Sequence, residues 1–335
     1  MSGYEPPRMG MFDAILANLL SPAVLFFVLG VLASVVKSDL KFPEALYVTL
    51  TIYLLLAIGF KGGVAVANAG LARVWWPALL ALLLGGLIPL WCYPILRFGG
   101  RLGAVDAAAI AAHYGSVSAV TFIAATNYLK QIGQPYEDYA AAFLAVMESP
   151  AIVIGVLLGK LALRGEGGSL AGAIRQALHE ACLGRSVFLL VGALIAGWLS
   201  GARGAEATAG FFVTPFQGVL ALFLLEMGSV AGRRLGDLRK VGPFLVAFGL
   251  VMPVVNGVAG AALGALAGLS LGGATLLAVL AASSSYIAAP AAMRLSLPEA
   301  NPTFYLTSSL AVTFPFNVTI GIPLYYTITR YIYSL

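Results

Sequence analysis

The sequence predicts an all-α integral membrane protein of ten transmembrane helices, arranged as two five-helix repeats of inverted topology. Three observations carry this. Of 335 residues, 60% are hydrophobic and only 10% charged, whereas a soluble domain carries about 25% charged residues. Apolar runs of the roughly 20 residues that span a bilayer recur along the whole chain, and no polar stretch is long enough for a separate soluble domain. Finally, residues recur at a near-constant offset of half the chain.

Read between glycine, proline and charged breakers, the spans fall at 20–38, 44–63, 74–96, 105–127, 138–162, 183–200, 210–231, 241–267, 273–294 and 302–329. "MSGYEPPRMG" sets prolines and a glutamate before any apolar run, unlike a signal peptide. Residues 1–19 are therefore an N-terminal extracytoplasmic segment, and the first apolar run is a spanning helix. Residues 20–163 form the first repeat and 182–335 the second. The most polar interruption, "RGEGGSLAGAIRQALHEA" at 164–181, is the linker between them. Cys92 and Cys182 lie in or beside apolar segments, which argues against a disulfide framework. His113 and His179 are too few for a histidine-rich metal centre; for His113 a structural role and a pathway role are both open.

At an offset of 166, Gly62 falls on Gly228, Arg73 on Arg239 and Pro77 on Pro243. The triplet "LAV" at 144–146 falls on "LAV" at 310–312, and Gly155 on Gly321; Pro135 meets Pro302 one residue out of register. Self-similarity of this kind marks a duplication. Five spans per copy is an odd number, so the second copy enters the membrane upside down. Inverted repeats of this sort are a signature of secondary transporters.

Thirteen Lys and Arg residues, Lys37 through Arg294, fall on one side of this topology and six, Arg8, Lys61, Arg73, Lys130, Arg203 and Arg330, on the other. The first side is cytoplasmic by the positive-inside rule, which places both termini extracytoplasmic and the protein in the plasma (inner) membrane. The net charge of +5 is accounted for by such loops and does not point to nucleic acid.

Transporter sites lie near the midplane, where helices are broken. The fourth span runs into "GSVS" at 115–118 and the ninth into "SSS" at 283–285, at equivalent places in the two halves. For these serines interhelical hydrogen bonding and substrate binding are both open. Gly115, Ser116, Ser118, Ser283, Ser284 and Ser285 could cradle a small anion through hydroxyls, freed N–H groups and helix dipoles. Pro290 serves as the helix-breaker beside them. The fifth span holds Glu148, a carboxylate deep in apolar sequence, which is costly unless it serves a pathway or is paired. Its inverted partner supplies Thr313, Asn317 and Thr319, oxygen ligands suited to a hard cation such as sodium. Lys61 and Glu226 stand within a turn of span ends and would snorkel to the interface. Asp106 is an N-terminal helix charge. The serines have no histidine or lysine at a recognisable spacing, and no HExxH or phosphate-loop pattern occurs, so the chain does not read as an enzyme.

"AASSSYIAAPAAMRLSLPEANPTFYLTSSLAVTFPFNVTIGIPLYY" (281–326), "IGFKGGVAV" (58–66), "GSVSAVT" (115–121) and "RLGDLRKV" (234–241) resemble the sodium-dependent bicarbonate transporter family of the SbtA type. The resemblance runs from about residue 20 to 328. It implies an elevator-type transporter with core and scaffold domains, a homotrimer in the lipid bilayer, bicarbonate as substrate, Na+ as coupling ion and a PII-like cytoplasmic regulator. Spans four, five, nine and ten would supply the core site. Ser118 and Thr121 match family positions, and the fifth-span acid is kept in kind as Glu148. The family pattern sets an aspartate after the three serines, where this chain has Tyr286; the central linker is short.

The sequence thus points to bicarbonate import by sodium symport. The anion would rest on the serine clusters with Tyr286 beside them, and sodium on Glu148, Thr121, Thr313 and Asn317. The alternatives are another small anion or carboxylate on the same fold, or proton coupling through Glu148 and His113.

Overall fold

The computed structural model describes residues 11–40, 42–163 and 183–335, with positions 172, 175, 178 and 179 between them. Apart from those positions the expected linker lies outside the described residues, and Cys182 with it; Cys92 is buried. No strand occurs among the described residues. Seven helical runs among them are long and apolar enough to cross a membrane: 44–69, 71–99, 104–131, 138–162, 185–212, 216–266 and 302–332. Pro22–Val35 and Leu271–Ala282 are apolar but shorter.

In chain order the helices are α1 (Met11–Leu19), α2 (Pro22–Val35), α3 (Glu44–Ala69), α4 (Leu71–Pro94), α5 (Ala104–Gly115), α6 (Ala119–Gln131) and α7 (Ala141–Ala162). The second half holds α8 (Arg185–Phe212), α9 (Phe216–Arg234), α10 (Leu238–Leu266), α11 (Leu271–Ala282), α12 (Ala288–Ser296) and α13 (Pro302–Thr307). Two wider π turns, Ser308–Thr313 and Asn317–Gly321, flank the short α14 (Phe314–Phe316) before α15 (Ile322–Ile332) closes the chain.

Starts follow local chemistry. Ser21 accepts from the Val24 N–H ahead of Pro22, and Ser270 accepts from Gly273 ahead of α11. Two span boundaries differ from the sequence expectation. Helix α3 runs past 63 to Ala69, whereas α8 leaves helical geometry at Gly201 (φ 57°), where its span was expected to end. The following span opens at Phe216, not at 210, after the turn that contains Pro215.

Helix α3 packs along α8 and α2 along α9. Both contacts are made backbone to backbone. A side chain at Gly63 would overlap the Leu194 carbonyl, and one at Gly197 the Phe60 carbonyl. Gly30 and Gly228 stand in the same relation to Leu225 and Phe27. Small residues permit this approach between membrane helices. A second body is built from α4, α5 and α7, with α10, α11 and α15. Asn127 of α6 and Gln217 of α9 exchange two amide hydrogen bonds of 3.0 and 2.6 Å between the bodies.

Gly63→Val should therefore lower stability by about 1–3 kcal/mol through overpacking. Gly192→Ala, on the same α8 interface helix but with open space at its Cβ position, should leave it unchanged. Thermal unfolding of the detergent-solubilised protein compares the two; equal melting temperatures would remove the close-crossing explanation.

Candidate functional site

Two helix breaks meet at the centre of the second body. Helix α5 ends at Gly115; Ser116 is extended (φ −84°, ψ 146°), and Ser118 caps α6. Helix α11 ends at Ala282; Ser283 is extended (φ −78°, ψ 169°), and α12 begins only at Ala288. Pro290 is thus in the first turn of α12, where its missing N–H costs nothing. The break itself lies upstream of it, at 283–287, a correction to its expected role.

The breaks are tied to each other. The Ser285 N–H donates to the carbonyls of His113 (2.9 Å) and Ser116 (3.1 Å). The Ser118 N–H donates to Ser283 Oγ at 2.9 Å, and that hydroxyl donates back to Leu280 O at 2.7 Å. Ser118 Oγ accepts from Thr121 N (3.2 Å) and Thr121 Oγ1 (3.0 Å), and Ser285 Oγ accepts from Ala289 N at 3.3 Å. Each serine therefore caps the half-helix that follows it. Carbonyls and N–H groups freed within the bilayer need internal partners, and these serines supply them.

Around the crossing is an enclosed cavity of ≈ 10 Å³, about the room one water-sized particle needs. Its polar lining comes from Ser118, Glu148, Ser186, Ser285 and Tyr286, and its apolar walls from Leu55, Val117, Leu144 and Ile287. Glu148 is 5% exposed, and among the described residues its carboxyl has no hydrogen-bond or ion-pair partner. The N–H groups of Val117, Tyr286 and Ile287 likewise have none among the described residues. A carboxylate and free N–H donors on one small cavity offer groups for a cation and for an anion. A bare monovalent cation fits the volume, with Glu148, Ser118 and neighbouring oxygens as hard ligands.

The predicted residues divide. Ser118, Glu148, Ser285 and Tyr286 share the cavity, and Thr121 is bonded to Ser118. Tyr286 accepts a 3.3 Å hydrogen bond from Ser118 Oγ and sets its ring edge-on to Phe314, centroids 5.1 Å apart. A phenol thus occupies the place where the family resemblance implies an acid. Gly115 is needed for space, since a Cβ there would lie 2.5 Å from the Pro89 ring. Ser116 Oγ is buried without a partner among the described residues, and Ser284 bonds Ser309 at 2.7 Å.

Thr313 and Asn317 are not on the cavity. Thr313 Oγ1 donates to Gly249 O (2.8 Å) and meets Tyr114 OH (2.7 Å). Asn317 Nδ2 donates to Ala282 O (2.9 Å), while its Oδ1 accepts from Tyr325 OH (2.7 Å). Nor is His113, which donates from Nδ1 to Ala109 O at 2.7 Å and stacks on Tyr305. Ser186 was not anticipated: a lone serine at the start of a span carries no signal until α8 brings it to the cavity.

The expectation that Lys61 and Glu226 snorkel from span ends is also overturned. Helix α3 continues to Ala69, which leaves Lys61 about 12 Å inside at 1.5 Å per residue. Glu226 is 6% exposed and pairs with Arg233 at 3.2 Å.

Two broken helices cross inside an apolar helical body, with a carboxyl and unpaired N–H groups on one small cavity, an arrangement of the kind membrane transporters use. A family model described as the Na+-dependent bicarbonate transporter superfamily matches residues 22–330, nearly the whole chain. The chain belongs to that superfamily. No curated protein sequence matches it significantly.

If Thr313 is a strut, Thr313→Val should cost about 1–3 kcal/mol by stranding Gly249 O and Tyr114 OH, with the apparent sodium affinity unchanged. Thermal unfolding and sodium titration of uptake read the two quantities. A weakened sodium response with intact stability would return Thr313 to the cation site.

Proposed function

We propose that the protein imports bicarbonate by symport with sodium. The observation that carries this is the shared cavity, with the unpaired Glu148 carboxyl beside the free N–H groups of Val117, Tyr286 and Ile287. Sodium rests on Glu148 and Thr121, beside Ser118; the anion rests on the serine segments 116–118 and 283–285 and the free N–H groups of Val117, Tyr286 and Ile287. Each ion offsets the other's charge, so a singly loaded site is penalised in a low-dielectric interior. Thr313 and Asn317 act by holding the broken helices in place.

The chain forms ten spans in two inverted repeats, with boundaries at 20–163 and 182–335 about a cytoplasmic linker. Two features support the repeat. One is a pair of larger cavities, of ≈ 640 and ≈ 310 Å³. Phe42, Tyr47, Glu226, Met227 and Val230 of the smaller lie 166 positions from Thr208, Val213, Phe60, Lys61 and Val64 of the larger. The other is a carboxylate contact, made twice, between the start of one half's fourth span and the entry to the other half's fifth. Asp106 accepts from the Asn301 N–H (2.7 Å) ahead of α13, and Glu137 from the Ser270 N–H (2.6 Å) ahead of α11.

A cavity that fits a bare ion is too small for an oxyanion, so loading needs its walls to part. Leu55 and Ser186 come from the α3–α8 pair, while Ser118, Glu148 and Ser285 come from the other body. This division supports an elevator-type movement of core against scaffold. The protein acts as a homotrimer in the plasma membrane with both termini extracytoplasmic, and a PII-like regulator docks on the cytoplasmic side.

Labelled bicarbonate uptake into proteoliposomes should require an inward sodium gradient and fall to background in Glu148→Gln. Uptake that persists without sodium and in that variant would refute symport; dependence on a proton gradient instead would make Glu148 a proton carrier.

A further inference from the structure

The larger cavity, ≈ 640 Å³, lies between α3, α6, the entry to α7 and α8. Its floor includes Phe122, one turn along α6 from Ser118, the cap at the central site. Two ammonium groups line it, Lys61 and Lys130. Lys61 is half-buried, and its Nζ sits 4.4 Å from the centroid of the Phe216 ring. Neither lysine forms an ion pair among the described residues.

Two carboxylates also face the cavity, Glu137 and Asp138. Glu137 is committed: its oxygens accept from Ser270 N (2.6 Å) and Ser270 Oγ (2.8 Å). Asp138 opens the turn that leads into α7 and so stands at the mouth. Lys61, by contrast, is two helical turns inside the end of α3. Glu137 keeps its charge, so the cavity holds two positive and two negative groups, and Lys61 is the cation set two turns in from the end of its helix. An ammonium within a span is costly unless it meets an opposite charge, and an aromatic face attracts a cation without neutralising it.

We propose that Lys61 and Lys130 form a second, outer binding station for a small oxyanion, in a vestibule that loads the central site. This rests on the proposed transport of bicarbonate and on Lys61 facing the extracytoplasmic side. The smaller cavity carries Met227 at the position equivalent to Lys61, with Glu226 next to it. An anion is thus attracted on the entry side and not on the exit side.

Two measurements test the station. In wild-type proteoliposomes, labelling of Lys61 and Lys130 by trinitrobenzenesulfonate, read by peptide mass spectrometry, should slow when bicarbonate replaces gluconate at constant ionic strength. Equal labelling in both anions would overturn the station, whether or not bicarbonate is transported. In uptake assays the double variant Lys61→Gln/Lys130→Gln should raise KM for bicarbonate by roughly tenfold, keep Vmax, and lose the salt dependence of KM. Lys61→Arg should restore KM. An unchanged KM with unchanged salt dependence would also overturn it, whereas absent uptake in the wild type together with labelling protection would refute bicarbonate transport and leave the station standing.

Discussion

The structure depends on one constraint: backbone groups freed by a helix break inside a membrane must find partners within the protein. Two breaks placed back to back meet it. The Ser285 N–H reaches two carbonyls at the end of α5, and Ser283 Oγ receives the Ser118 N–H. Either break alone would strand these groups in hydrocarbon, so neither half of the chain can form its own site. The serine hydroxyls caused by this need are the same groups that can meet an ion. Architecture and chemistry can thus share one set of atoms at the crossing.

Much of this was legible in the chain. Helical class followed from apolar length, and the two serine clusters followed from hydroxyls in otherwise apolar spans. Glu148 was marked by its charge alone. What sequence could not supply was direction. Thr313 and Asn317 carry oxygens suited to a cation, but the wide turns at 308–313 and 317–321 aim them at Gly249, Ala282 and Tyr325 instead. Pro290 is a helix-breaker by chemistry, yet proline is harmless in a first turn, and its context decided the matter. Lys61 was misplaced because the span was ended at residue 63; valines, alanines and Asn68 beyond it continue the helix to Ala69. The free N–H groups of Val117, Tyr286 and Ile287 were invisible, since no side chain announces an unpaired amide.

Tyr286 shows how a neutral residue can stand at a position where a carboxylate is expected. Its hydroxyl stays hydrogen-bonded to Ser118, and its ring is braced by Phe314. It lines both the central cavity and the smaller outer one, so it forms part of the partition between them. Among the residues that line the central cavity, Glu148 is the one acid.

The glycine crossings carry a mechanical corollary. Where α3 meets α8, and α2 meets α9, carbonyl oxygens stand where side chains would normally interdigitate. Such a joint has no compressible layer and no alternative rotamers, so it can neither slide by a ridge nor yield by repacking. These four helices form a stiff frame, whereas contacts such as Asn127 with Gln217 are made by side chains that can repack.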